Sequence, residues 1–169
     1  MPPLRLAAVG LLLVLVEIRL GSVMLSLDLI GWVLAGMGMN QLIDLDKWFV
    51  WARNLAITAL VLELVLFISP IALINVLADV FLRLVVLAFV YCLCSALLQR
   101  LGKRDQGFGV TLQVLRVAIP LVTLLGAAFT VLPTPDAVPV GWLYPIQLAG
   151  TVVLAVVMWL LGSRYSFTR

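Results

Sequence analysis

Two ionisable residues stand inside stretches that are otherwise apolar enough for hydrocarbon: Glu63 within 55–77 and Arg116 within 108–132. A charge in the bilayer interior is costly, and such residues tend to mark a pathway or site for an ion, a proton or an anionic headgroup. Glu63 comes ten positions after Arg53, and Arg116 eight after Phe108. At helical rise they lie about 15 Å and about 12 Å from the same membrane face. The shared depth predicts a Glu63–Arg116 pair in which each charge offsets the other's desolvation. Gln113, one turn from Arg116, would complete the hydrogen bonding. The plainer alternatives are an interhelical clamp, a contact to a partner subunit, or Arg116 snorkelling to the interface.

A second polar group belongs near the opposite face. Asn75, Asp79 and Arg83 recur every four residues and share one helix face if the helix is continuous beyond Ser69-Pro70. Glu17, Arg19 and Asp28 reach the same level. The expectation is a polar network closing the outer ends of the helices, with a docking surface or vestibule as the sharper alternative.

Much chemistry is excluded by what is absent. The chain has no histidine, so axial His ligation of haem, His metal sites and a Ser-His-Asp triad are excluded. Cys92-Leu-Cys94 is not a Cys-x-x-Cys motif, and residues two apart on a helix do not face each other. The two thiols are expected to be small apolar packing groups. No phosphate-binding glycine motif and no paired-carboxylate motif is present; Asp44 and Asp46 are expected to cap or balance the basic cluster at Lys47. No catalytic, cofactor or metal site is therefore expected. A scattered net charge of +3 gives no basic run for nucleic acid.

The elements that must position these residues follow from composition. The 169 residues are 64% hydrophobic and 11% charged, against roughly 45–50% and about 25% in soluble domains. So small a domain in water could not bury that much apolar surface. The fold class is an all-α integral membrane protein, a polytopic bundle forming one membrane domain over 1–169. Six spans are expected, near 4–20, 27–45, 54–77, 80–100, 108–132 and 142–162, since a crossing helix needs about 20 apolar residues. The stretch 4–45 is too long for one crossing and should turn near Glu17, Arg19, Gly21 and Ser22, with Asp28 as a candidate N-cap. A re-entrant or interfacial first segment is the alternative. No small-x-small cleavage site follows 6–16, so this segment is expected to be a membrane element rather than a signal peptide.

Short-loop cations set the orientation. Arg5, Lys47, Arg53, Arg100, Lys103, Arg104, Arg164 and Arg169 fall on one side of a six-span arrangement, which places both termini in the cytoplasm. Trp48, Trp51, Trp142, Tyr144, Trp159 and Tyr165 fit aromatic belts. Gly31 and Ala35 have the small-xxx-small spacing of close helix contacts, and Gly36, Gly38, Gly126-Ala127-Ala128 and Gly150 add further small residues.

The expected role is a non-catalytic membrane subunit that stabilises or regulates a larger membrane complex. Its partners would be the lipid bilayer and other membrane subunits or copies of itself, in a plasma (inner) membrane of bacterial type. The alternative is a small oligomeric transporter or channel with its polar site at Glu63 and Arg116; a lipid-acting enzyme fits least.

Overall fold

A computed structural model of the chain describes residues 2–15, 17–20, 23–68, 71–101, 106–131 and 143–164. Among these, six helices run in chain order: α1 Pro3–Val14, α2 Asp28–Asn40, α3 Lys47–Ile68, α4 Ala72–Leu101, α5 Gln106–Val131 and α6 Leu143–Arg164. The fold is all-helical apart from one short antiparallel ladder between α1 and α2. There β1 (Glu17–Leu20) pairs with β2 (Val23–Ser26), Glu17 opposite Ser26 and Leu20 opposite Val23. Four helices, α3 to α6, are long and apolar enough to cross a membrane. Without water, only helices and closed barrels satisfy every backbone N–H and C=O, which is why so apolar a chain folds this way.

Local signals set the helix ends. Pro3 opens α1, where the missing N–H would have had no intrahelical partner. Asp46 caps α3: its Oδ1 accepts the Trp48 N–H at 3.0 Å. This capping starts α3 at Lys47 rather than near 54, two turns earlier than expected. The same helix stops at Ile68 rather than 77, because a proline disfavours helix at the residue before it and Ser69-Pro70 follows. The fourth helix accordingly begins at Ala72 rather than 80. The fifth and sixth lie within two residues of expectation at each end.

The first arm departs more. α1 is helical only to Val14 and α2 ends at Asn40, so they are about 18 and 20 Å long. Neither alone matches a hydrocarbon core of about 30 Å. Asp28 is the first residue of α2 rather than its cap; Leu27 holds the cap position and no side chain caps the helix. The expected loops at Lys103–Arg104 and 133–141, with Arg169, Trp142 and Tyr165, lie outside the described residues, as do the side chains of Gly126-Ala127-Ala128 and Tyr144.

Each helix packs on its neighbours in sequence, and α6 packs back on α1, so the six form a closed ring. Its inside is filled by side chains. Trp32 of α2 meets Phe89 of α4 edge to face, with centroids 5.5 Å apart, and both rings are buried. Ala52, Ala56 and Ala59 give α3 a flat, fully buried inner face. Leu93 and Leu97 of α4, Leu112 of α5 and Leu154 of α6 complete the core.

In lipid there is little hydrophobic drive between helices, so close contact must hold them together. The closest contact is α1 on α2. A Cβ on Gly10 would lie 2.5 Å from the Gly31 carbonyl oxygen, and one on Gly31 would lie 2.6 Å from the Gly10 oxygen. One on Gly38 would lie 2.7 Å from the Pro3 oxygen. Gly31, Ala35 and Gly38 thus form one face of α2 pressed on α1 backbone. Gly36 points elsewhere: its Cβ would meet only the Ala56 Cβ, at an ordinary 3.8 Å. Gly31→Leu should therefore cost about 3 kcal/mol or more in a reversible detergent unfolding assay, because backbone cannot yield as a side chain can. Gly36→Ala should be neutral or stabilise by up to about 1 kcal/mol through helix propensity.

Candidate functional site

Arg116 finds its partner on α4 rather than α3. Its guanidinium lies 4.2 Å from the centroid of the Tyr91 ring, and its Nη2 donates to the Tyr91 hydroxyl. Tyr91 in turn meets Trp48 of α3 edge to face, with centroids 6.2 Å apart. A cation–aromatic ladder thus joins α5, α4 and α3 at one level. A cation on a ring contributes about 0.5–2 kcal/mol, more as water is excluded.

The same end of the ring collects other cations that contact rings, amides and a carbonyl. Arg5 of α1 lies over Trp159 of α6, 5.0 Å from its centroid, and Arg164 of α6 lies over Phe108 of α5 at 5.3 Å. Arg100 donates to the Leu45 carbonyl. Arg53 donates to Asn40 Oδ1 at 3.3 Å and to Asn54 Oδ1 at 2.9 Å. Four of the six helices therefore bring an arginine to this end, α1, α4 and α6 from a terminal turn and α3 from its second turn.

Glu63 is not there. Because Trp48, Tyr91 and Arg116 share a level, Glu63, 15 residues beyond Trp48, stands about 22 Å from Arg116 along α3. The expected Glu63–Arg116 pair does not form. α3 begins at the Asp46 cap rather than near Arg53 and ends at Ile68, so Glu63 belongs to the opposite end. Gln113 is exposed and is not drawn into Arg116's contacts among the described residues.

At that opposite end Glu63 lies in the electrostatic field of Asp28 at the start of α2 and of Asp79 on α4. It also faces the Trp32 indole nitrogen, which is buried and meets no partner with hydrogen-bond geometry among the described residues. Arg83 pairs with Asp79 at 3.0 Å, one turn along α4. Both side chains are partly exposed, and such a pair contributes at most about 1 kcal/mol where water reaches it. Since α4 is continuous from Ala72, Asn75 shares their face. Asp28 and Asp79 thus act on Glu63, and Asp79 pairs with Arg83. Glu17 and Arg19 sit on β1, and their side chains lie outside the described residues. No group of three Asp, Glu, Cys or His side chains among the described residues is arranged to hold a metal ion. Cys92 and Cys94 are both buried in α4 as free thiols.

Sequence reasoning missed Tyr91. A signal existed: Trp48 stands 21 residues before Ser69 and Tyr91 stands 21 after Pro70, so a helical hairpin turning there must bring them level. Gly10 was missed because no second small residue stands four positions away on a purely small-residue pattern; its neighbours on that face are Leu6 and Val14.

The separation has a thermodynamic signature. In a double-mutant cycle of unfolding free energies, Glu63→Gln and Arg116→Gln should be additive to within about 0.5 kcal/mol, as for distant sites. Tyr91→Leu and Arg116→Gln should couple by about 1 kcal/mol or more. No protein-family model matches the chain, and no curated protein or solved structure matches it either.

Proposed function

We propose that this chain is a non-catalytic integral membrane subunit that holds or regulates a larger membrane assembly. On this reading it crosses a bacterial-type plasma membrane six times, with both termini in the cytoplasm. The α1–α2 unit makes the first two crossings, its helices of about 18 and 20 Å being matched by local thinning of the bilayer. The two-stranded ladder, an open pair of strands, stands at the aqueous interface. The clustering of Arg5, Arg53, Arg100 and Arg164 at one end supports that end as cytoplasmic.

The observation that carries the subunit role is the bare far end of the α3–α4 hairpin. Phe67 is 81% exposed, Leu73 69%, Ile68 67% and Val76 62%. Among the described residues these four exposed side chains crowd the end of α3 and the start of α4. Bulky apolar surface of this kind suits packing against an apolar transmembrane segment of another protein.

A photo-crosslinking amino acid at position 67, activated in native membranes, should give a discrete protein adduct identifiable by mass spectrometry. Adducts to lipid alone, with the chain migrating by itself in mild detergent, would contradict the subunit role. The convergence of Glu63 with Asp28 and Asp79 favours a second reading, a small oligomeric cation or proton transporter. Liposome flux abolished by Glu63→Gln would establish that reading instead.

A further inference from the structure

A groove of about 330 Å³ runs between α2 and α3. Its mouth is polar, formed by Arg53 and Asn40, and its walls are the apolar side chains of Val33, Met37 and Ile57. It ends against Trp32 and Leu60. From Asn40 to Trp32 is eight residues of α2, about 12 Å of length. The volume would admit roughly ten groups of water or methylene size, at about 30 Å³ each.

Gly36 forms the floor, and it is the glycine of α2 that helix packing does not require. Gly31 and Gly38 are pressed on α1 backbone, whereas a Cβ at position 36 would meet only the Ala56 methyl, at contact distance. What the missing side chain leaves is the groove itself.

The mouth has a defined charge. The Arg53 guanidinium, whose hydrogen bonds are exposed, is oriented by two neutral amides, Asn40 and Asn54, and donates to no carboxylate among the described residues. It stands six residues, about 9 Å, into α3 from Lys47, a depth where headgroups give way to acyl chains.

We propose that this groove binds one anionic phospholipid, its phosphate on Arg53 and one acyl chain along Val33, Gly36, Met37 and Ile57. A guanidinium donates to phosphate in a two-pronged, charge-assisted fashion, while the amides that hold it remain neutral. A methylene chain suits the dry walls below, and the groove's polar-to-apolar order matches that of a lipid from headgroup to tail. The inference is independent of the subunit role, since it concerns α2 and α3 rather than the α3–α4 end.

The test uses the full chain reconstituted in phosphatidylcholine vesicles containing a small fraction of phosphatidylglycerol that carries a diazirine in one acyl chain. Photolysis should label Met37 and Ile57 above the other lipid-facing residues. Arg53→Gln should reduce that labelling about tenfold for the phosphatidylglycerol probe and leave a phosphatidylcholine probe unchanged. Gly36→Leu, whose Cβ meets only the Ala56 methyl and whose remaining atoms would enter the groove, should suppress labelling by both probes while the thermal unfolding midpoint stays within a few degrees. Even labelling of α3 to α6, insensitive to either substitution, would overturn the proposal. So would protection of the groove by added inorganic phosphate with no difference between the two lipid probes, since that marks a free-anion site.

Discussion

Hydrocarbon offers nothing to a hydrogen-bonding group and little to distinguish one apolar side chain from another, and both facts shape this molecule. The first forces backbone into helices and drives charge to helix ends. The second removes the usual reason for apolar faces to meet, so helices hold together where backbones fit closely. The ring answers both demands. Its tightest contact, α1 on α2, has carbonyl oxygens of one helix where side chains of the other would otherwise be. Its outer surface is left apolar, with Ile57, Val114 and Val156 all exposed.

The charges are sorted accordingly. Arginines gather at the end where α1, α3 and α5 begin and where α4 and α6 finish. There they contact aromatic rings, amides and a carbonyl. That choice matters in low dielectric, because a ring or amide stabilises a cation without requiring a second charge to be desolvated. Arg116 illustrates it: it enters the bundle from this end with Tyr91 as its partner and Trp48 behind it. Three carboxylates, Glu63, Asp28 and Asp79, lie toward the other end with Arg83 beside Asp79, while Asp44 and Asp46 stay at the arginine end, where Asp46 caps α3. One end can thus meet anionic headgroups while the other presents negative charge.

Much of this architecture was legible from spacing and composition. The apolar excess required lipid, and the long apolar runs of the fifth and sixth helices fixed their ends to within two residues. The contact face of α2 was visible in Gly31 and Ala35. The site was less legible, because a depth counted along a helix is only as good as the helix start. Asp46 capping α3 moved that start by two turns, which sent Glu63 to the far end and dissolved its pairing with Arg116. The two half-length helices and their β-ladder were hidden for a related reason. Apolar composition shows that a segment tolerates lipid, but it does not say whether twelve or twenty residues will be helical.

The most direct measurement concerns which face of the membrane each end of the ring meets. With Cys92 and Cys94 replaced by alanine, single cysteines at positions 103, 136 and 169 would be challenged with a membrane-impermeant maleimide in intact cells and in inverted vesicles. The account requires positions 103 and 169 to react only in inverted vesicles and position 136 only in intact cells. Reaction of 103 and 169 from opposite sides would contradict it, and the sorting of charge by membrane face would have to be abandoned.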